Sequence, residues 1–385
     1  MLDFRYIVVG AGFAGSVLAE RIASQLNEKV LLIDRKKHIG GHCFDHLDSN
    51  GIIRHVYGPH LFHTNSKKVW DYLSNFTDWD YYQHRVLAFV DGSLIPIPFN
   101  FNSLYNIFPR YQAEKIEKKL LEYYPLNSKI PILDLLNNRD ETIRSFSEYV
   151  YSKIFKNYTA KQWNIDPLKL DPSVIARVPV FIGYDDRYFQ DIYQAVPKNG
   201  YAKLFENLLS HKNIKLLLGT DFKEIASITE EGVLIGNKIF SGIIIYTGSV
   251  DELFEFKFGY LPYRSLKLVF KTIEKEFYQA AATINYPNNY SYTRITEFKY
   301  IHYTSSKNTT ILFEYPDEYR IEKNDPYYPI LTEDNVKLYN KYINIIKEIN
   351  NIFIIGRLAE YKYYNMDEVV LKALELFEKG FKNEK

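Results

Sequence analysis

The feature that most constrains this chain is its opening run, Tyr6-Ile7-Val8-Val9-Gly10-Ala11-Gly12-Phe13-Ala14-Gly15. An apolar, β-branched strand enters a G-x-G-x-x-G turn, and a helix-forming stretch, Ser16 to Leu26, leaves it. Each glycine has its own task. Gly10 makes the tight turn, Gly12 lets the backbone approach a pyrophosphate, and Gly15 lets the helix pack close to the sheet. The helix N-terminus then presents unbonded N–H groups and a partial positive charge to the phosphates.

Taken alone, the turn also fits a structural glycine-rich loop, so the next thirty residues decide. Val30-Leu31-Leu32-Ile33 reads as the second strand and ends at Asp34, an acid placed to bind a ribose hydroxyl. Arg35-Lys36-Lys37-His38-Ile39-Gly40-Gly41 follows, a basic stretch running into a double glycine. An NAD site does not need that second glycine pair, whereas two-dinucleotide-type flavoproteins carry it. FAD is therefore the expected cofactor.

The chain has 385 residues, enough for two or three domains that share a substantial core. A net charge of +1 with no basic block leaves no electrostatic footprint for nucleic acid. One cysteine, Cys43, rules out a disulfide framework and suits a reducing cytoplasm. No charged-then-apolar leader opens the sequence, and no apolar run approaches membrane-spanning length, so a cytoplasmic protein is expected. The 34 Tyr and 26 Phe suit a site that stacks rings and hydrogen-bonds hydroxyls, although most must be packing.

Further along, a histidine-rich strand and turn, 51–64, precedes a helix near 66–76. Residues 86–98 alternate around Asp91-Gly92, a hairpin signal. From about Ser103 to Tyr158 the pattern is helical, broken at Pro125, Pro131 and Asn137-Asn138. A helix from Tyr201 to His211 and buried strands at 214–218 and 243–247 return the chain to the nucleotide fold. Segments near 265–271, 283–285, 292–297 and 310–315 read as an antiparallel sheet. A helix near 333–349, a strand at 352–355 and a last helix opened by Asn365-Met366-Asp367 close the sequence. The expected fold is α/β: a discontinuous Rossmann-like FAD-binding domain (1–82, 197–255 and 335–385), a mainly helical domain (83–158) and an antiparallel sheet domain (159–196 and 256–334).

Three groups carry chemistry, each beside a plainer alternative. Asn365 at the N-cap of the last helix would aim that terminus at an isoalloxazine and favour an anionic reduced flavin, or it simply caps a helix. His60 and His63, with His55 nearby, contact the flavin or sit in a core; no paired cysteines or acid cluster point to a metal, and none is expected. Arg177 and Arg294 lie on separate elements and suit a diphosphate clamp, because guanidinium forks match phosphate oxygens; the alternative is a solvated or carboxylate-paired arginine.

Several segments in order, nearly end to end, resemble the UDP-galactopyranose mutase family. They include His38 to Gly41, Tyr57-Gly58-Pro59-His60-Leu61-Phe62-His63-Thr64-Asn65, Tyr158 to Trp163, Arg177-Val178-Pro179-Val180, Tyr188-Phe189, Tyr263 to Lys267, Tyr292-Thr293-Arg294, Pro326 to Pro329 and Gly356 to Tyr364. The resemblance implies a pyranose–furanose mutase acting on a nucleotide sugar, UDP-galactopyranose first among candidates, through a covalent adduct between N5 of reduced FAD and the sugar, supplying furanose for surface polysaccharide. It implies that Arg177 and Arg294 clamp the diphosphate and that these two, with His63, are the catalytic residues. Tyr158, Thr159, Trp163, Tyr188 and Asn285 would line the uridine and sugar pocket, and Tyr328 and Tyr363 would donate hydroxyls. His60 and His63 would lie against the flavin, with Ala14, Asp34, Arg35, His42, Leu61, Phe222, Arg357 and Met366 among the other cofactor contacts. Expected partners are the nucleotide sugar, an external reductant such as NAD(P)H or a flavin reductase, and a second copy in a homodimer.

Four positions depart from the family pattern. His42 follows Gly41 where asparagine is usual, His84 stands at a sugar-contacting position that is usually asparagine with Arg85 unexpected beside it, Asn164 replaces glycine after Trp163, and Asn365 replaces aspartate. The departures at His84 and Arg85 keep open the same chemistry on an N-acetylated, deoxy or heptose nucleotide sugar. An FAD oxidoreductase of amine-oxidase type is the alternative from another class.

Overall fold

The strand Tyr6–Val9 is almost completely buried, which its unbroken apolar sequence requires. It pairs in parallel with Val30–Asp34 on one side and Ile243–Tyr246 on the other. Ile214–Leu218 and Ile352–Ile354 complete a five-stranded parallel sheet at its two edges. A computed structural model describes residues 3–163, 179–229, 232–236 and 238–382 of the chain.

The two faces of this sheet are covered differently. Tyr6 and Val8 face a cluster built from the helices Phe13–Arg21, Gly200–Leu208 and Met366–Leu376. Ile7 and Val9 face a small antiparallel flap, Ala226–Thr229, Gly232–Ile235 and Lys238–Ile239, through Val233, Ile235 and Phe240. That second cover is β-structure rather than helix, and its short alternating segments gave no strong periodic signal in the sequence.

The first helix begins three residues before the expected Ser16, with Gly12 as its N-cap, and passes at Arg21 into a π-helical turn, Ile22–Leu26, closed by Asn27 at φ 56°. Its close approach to the sheet is set by two glycines. Gly10 adopts φ +106°, and a Cβ there would fall 2.0 Å from Thr247 Oγ1. A Cβ on Gly15 would fall 2.0 Å from the Gly10 carbonyl oxygen.

The larger second sheet has seven strands in the order Tyr328–Pro329, Tyr263–Ile273, Thr309–Glu318, Arg294–Glu297, Thr283–Asn285, Val86–Val90 and Ser93–Ile97. It is antiparallel except where Thr283–Asn285 runs parallel to Val86–Val90. The hairpin 86–97, expected inside a mainly helical unit, is therefore the edge of this sheet. Its inner face (Val86, Ala88, Val90, Ile95, Ile97) packs on the helices Phe101–Ile107, Arg110–Tyr123, Ile132–Leu136 and Glu141–Val150 in one core, so hairpin and helices bury each other's apolar surface. The last of these helices continues through a π-helical turn, Tyr151–Lys156, into the helix Asn157–Trp163. A three-stranded antiparallel sheet, Phe62–Thr64, Tyr193–Pro197 and Trp79–Tyr81, pairs His63 with Gln194 in register.

Gly15→Ala places a methyl group against backbone that has no room to yield. We expect a loss of about 1–3 kcal/mol or more in urea unfolding, together with loss of the yellow colour of bound flavin, read by absorbance after reconstitution.

Candidate active site

The head of the parallel sheet forms a backbone cradle. Gly12 opens the first helix, whose first turn carries no acid. Gly40 donates its N–H to Ala11 O at 2.8 Å, which brings Gly41 against Gly12 so closely that a Cβ on Gly41 would lie 3.1 Å from Gly12 Cα. Two bare glycine loops thus face each other beside a helix N-terminus, an arrangement suited to a pyrophosphate. Asp34 accepts from the N–H groups of Ala11 (2.8 Å) and Lys36 (2.7 Å), which fixes its carboxylate at the strand end and leaves further lone pairs for a ribose hydroxyl. Phe222 is buried beside Tyr246. Arg35, expected among the cofactor contacts, pairs with the buried carboxylate of Glu252 at 2.9 Å, which also accepts from Tyr319. A buried carboxylate requires such a countercharge. These groups fit a dinucleotide.

The far end of the cradle is built by the C-terminal segment. Gly356, at φ +102°, lies close enough to Ala14 that a Cβ would approach the alanine methyl to 3.3 Å. Arg357 reaches His42 Nδ1 at 3.1 Å and lies 5.5 Å over the Tyr328 ring, while His42 stacks on Tyr327 at 4.7 Å. Burial, then Arg357, holds His42 well below the ordinary histidine range, so it accepts from the guanidinium. Asn365 is the N-cap of the last helix, and its N–H donates to Glu368 Oε2 at 2.7 Å. Met366 places its sulfur 3.5 Å from Cys43, whose thiol burial pushes up to about 12.

His60 and Leu61 lie on the adjoining loop. The His60 ring bonds Gly58 O through Nδ1 at 2.8 Å, its backbone N–H donates to His55 Nδ1, and burial lowers it to about 4. Leu61 packs against the cluster of Ile52, Phe298 and Leu312. Beneath it, Asp45, His55 and His302 come together in the core. Because His55 Nδ1 accepts from His60, its proton sits on Nε2, facing His302 Nε2 at 3.2 Å. Asp45 meanwhile accepts from Tyr201 and Ala202 at a helix N-terminus. A metal-bound histidine donates its other ring N–H rather than accepting there, so the group reads as an internal hydrogen-bond chain.

The second half of the site surrounds Arg294. On the seven-stranded sheet Arg294 stands in register between Asn285 and Glu314. Its Nε lies 3.3 Å from Glu314 Oε2, an ion pair by distance, yet Arg294 Nε, Glu314 Oε1 and Asn285 Oδ1 are all buried without a hydrogen-bond partner. The pair is close but misaligned, and its donors and acceptors stay available to a third group. Burial opposes the Arg294 charge, but Glu314, then Tyr158, Tyr328 and Tyr188, outweigh it and hold the guanidinium above its ordinary value. Glu314 is itself raised by burial against the pull of Arg294. Tyr158, from the helix Asn157–Trp163, is raised to about 12 by burial. Tyr328 stacks on Tyr363 at 5.2 Å with planes 1° apart, so Tyr363 joins the same wall and Arg357 links it to the cradle.

His84 is buried, its backbone carbonyl accepts from the Tyr188 N–H, and its ring meets the Tyr82 hydroxyl at 3.2 Å. Burial, then Arg294 and His63, lowers it to about 3. His63 bonds Asp191 at 3.0 Å and stacks on Phe189 at 3.6 Å. Thr159 is half-buried on the Tyr158 helix. The side chain of Trp163, and the whole of Arg177, lie outside the described residues. The structure thus gathers Tyr158, Tyr188, His84, His63, Asn285, Arg294, Tyr328 and Tyr363 on one side, and Gly12, Ala14, Asp34, Gly41, His42, Arg357 and Met366 on the other. Sequence reasoning missed Glu314 and Asp191. An acid inside the apolar run Ile311-Leu312-Phe313-Glu314 is a signal for the first; nothing local marks the second.

The fold and cradle define an FAD-binding protein of the Rossmann-like class. A family model for an NAD(P)-binding Rossmann-like domain matches residues 8–76, and one for UDP-galactopyranose mutase matches residues 153–363. The chain is 32% identical to dTDP-fucopyranose mutase of Escherichia coli over 99% of both chains, and 32% identical to UDP-galactopyranose mutase of Mycoplasma genitalium over 97% of this chain and 94% of that one. The crystal structure of a reduced UDP-galactopyranose mutase superposes with a TM-score of 0.69 at 14% identity, covering 98% of this chain and 94% of that one. A putative protoporphyrinogen oxidase from Exiguobacterium shares the fold at a TM-score of 0.62 and 11% identity, covering 100% of this chain and 99% of that one. The chain belongs to the UDP-galactopyranose mutase family, and it is an FAD-dependent isomerase of the pyranose mutase type. Among the described residues no helix is long and apolar enough to cross a membrane.

Two predictions follow from the buried charges. Glu314→Ala strands the Arg294 guanidinium, and we expect a loss of about 3–5 kcal/mol in chemical denaturation. Second, His60, His84 and His302 are lowered to about 4, 3 and 4, and His42 and His55 well below their ordinary value, all chiefly by burial. The unfolded chain therefore binds protons that the native one refuses, so stability is greatest above about pH 6.5 and falls as pH drops toward 4. Asp45, raised to about 6 by burial, opposes this by a single proton. Urea midpoints measured at pH 7 and pH 5 test the sign.

Proposed function

We propose that the protein interconverts the pyranose and furanose forms of a nucleotide sugar, with UDP-galactopyranose the leading substrate, and so supplies furanose to surface polysaccharide. The observation that carries this reading is Arg294: a half-buried guanidinium near Tyr158, Tyr188 and Tyr328, beside an acid, with its buried Nε donor unspent. A diphosphate is the ligand whose charge and oxygen geometry answer such a group. The family resemblance assigns Arg177 as the second arginine of the clamp.

Reduced FAD, when bound, supplies an electron-rich centre for the sugar's anomeric carbon, so the protein needs no nucleophile of its own. The chain's residues have other work. The glycine cradle and Asp34 hold the dinucleotide, and Arg357 ties the cradle to the Tyr328–Tyr363 wall. Arg294 and the tyrosine hydroxyls retain the nucleoside diphosphate while it is detached, which keeps its return to the sugar intramolecular. Held at its site, it has no chance to diffuse away between steps. The same reading expects reduction by NAD(P)H or a flavin reductase, and a homodimer working in the cytoplasm.

The likeness to dTDP-fucopyranose mutase over nearly the whole chain favours a second reading, in which the sugar is a deoxy pyranose carried on dTDP. Buried His84, held uncharged, supports it, since such a wall is less suited to an additional hydroxyl than an amide would be.

Dithionite-reduced enzyme incubated without air with UDP-galactopyranose, dTDP-fucopyranose and related nucleotide sugars should yield furanose resolved by chromatography, and oxidised enzyme in air without dithionite should take up no oxygen with them; substrate-dependent oxygen uptake by the oxidised enzyme, with no furanose from the reduced one, would instead identify an oxidase. Arg294→Ala and Arg177→Ala should each lower turnover by about ten- to hundredfold, matching the roughly 1.5–3 kcal/mol of a charge-assisted hydrogen bond, while FAD stays bound. Near-normal rates in either would remove the clamp.

A further inference from the structure

The His63 ring is held by two groups, one of them braced in turn by a third. Its Nδ1 lies 3.0 Å from Asp191 Oδ2, so Nδ1 carries the proton and donates it to the carboxylate. The other oxygen, Asp191 Oδ1, accepts from Asn65 Nδ2 at 2.8 Å, and Asn65 Oδ1 in turn accepts from the Ile192 N–H at 2.9 Å. The Phe189 ring lies parallel to the imidazole, 3.6 Å between centroids and 14° between planes. Ring position, rotation and tautomer are thereby all fixed. The hydrogen bond from His63 also keeps Asp191 below the ordinary carboxylate range, so the carboxylate stays charged and accepting.

This arrangement sits within the site. His63 is near enough to His84 to depress it, as Arg294 does, and Phe189 stacks against His84 as well, at 6.4 Å. With Nδ1 committed to Asp191, His63 Nε2 is left with a lone pair. A carboxylate that fixes the tautomer of a histidine whose second nitrogen is free is how proteins prepare a proton carrier.

The reaction has a proton to move. Converting a hexopyranose to its furanose breaks the bond from C1 to O5 and forms one from C1 to O4. The proton on O4 must leave and one must reach O5, with no net gain or loss. We propose that Asp191 is a positioning residue that orients His63 so that Nε2 takes up the O4 proton and returns it to O5. This rests on the mutase reading above and assigns that site its proton carrier.

The test uses the full FAD-loaded chain, reduced with dithionite, and wild-type conversion of UDP-galactopyranose or dTDP-fucopyranose is established first; absence of furanose there would defeat the mutase reading, not this one. Asp191→Asn should then lose about 10- to 100-fold in kcat, within the range of general acid–base effects, with KM changed less than about twofold and FAD content intact. Asp191→Glu should recover most of the rate. Because Asp191 acts through His63, Asp191→Asn combined with His63→Gln should be no slower than His63→Gln alone. Independently of turnover, ¹⁵N-labelled flavin-free protein should show His63 protonated at Nδ1 in the wild type and a mixture of tautomers in Asp191→Asn. Full kcat in either single variant, additive losses in the double variant, or an unchanged tautomer would overturn the proposal. So would a rise in KM with loss of FAD and unchanged kcat, the pattern of a strut between strands.

Discussion

Backbone pressed against backbone at the head of the parallel sheet is the constraint on which the rest depends. Gly15 lies against the Gly10 carbonyl at a separation no side chain allows, and Gly41 against Gly12 at one that a Cβ would fill tightly. These contacts set how near the first helix stands to the sheet and how near the second glycine loop stands to the first. They also expose the helix N-terminus to a pyrophosphate instead of burying it under side chains. The loops carrying His42, His60 and Arg357 are positioned from this frame, so the cofactor end of the site inherits its geometry from packing rather than from any single hydrogen bond.

The substrate end is organised on an opposite principle. Arg294 and Glu314 are charged groups in a buried strand pair, a placement whose desolvation cost is offset only in part by their mutual attraction. Their misaligned contact and the unpartnered Asn285 oxygen leave polar capacity unused in the free protein. A site that stores unmet hydrogen-bonding capacity gains more from a matching ligand than one already satisfied, and rejects ligands that leave it unmet. Tyrosine suits such a site, because its ring supplies stiff, close packing and its hydroxyl can both donate and accept.

Fold alone does not separate this protein from oxidases. The putative protoporphyrinogen oxidase and putrescine oxidase share it at TM-scores of 0.62 and 0.60, with identities of 11% each. On that frame the chain sets an arginine–acid pair, Arg294 and Glu314, beside Tyr158, Tyr188 and Tyr328, and it is such groups, not the shared frame, that an activity has to be argued from.

The sequence determined the parallel sheet, because unbroken apolar runs of four or five residues and a glycine turn at fixed spacing encode it locally. It also determined the FAD cradle, and Arg294, Tyr328, Tyr363 and His63 stand in recognisable segments that the fold then brings near one another. Tertiary structure alone decided the rest. The β flap over one face of the sheet and the transfer of the 86–97 hairpin to the seven-stranded sheet depend on partners far away in the chain. So do the engagement of Arg35 by Glu252, 217 residues on, and the seating of His63 on Asp191, 128 residues on. Local pattern reports which face of an element is apolar. It does not report which distant group will meet a charge, because that is fixed only when the elements pack and each buried polar atom must find a partner.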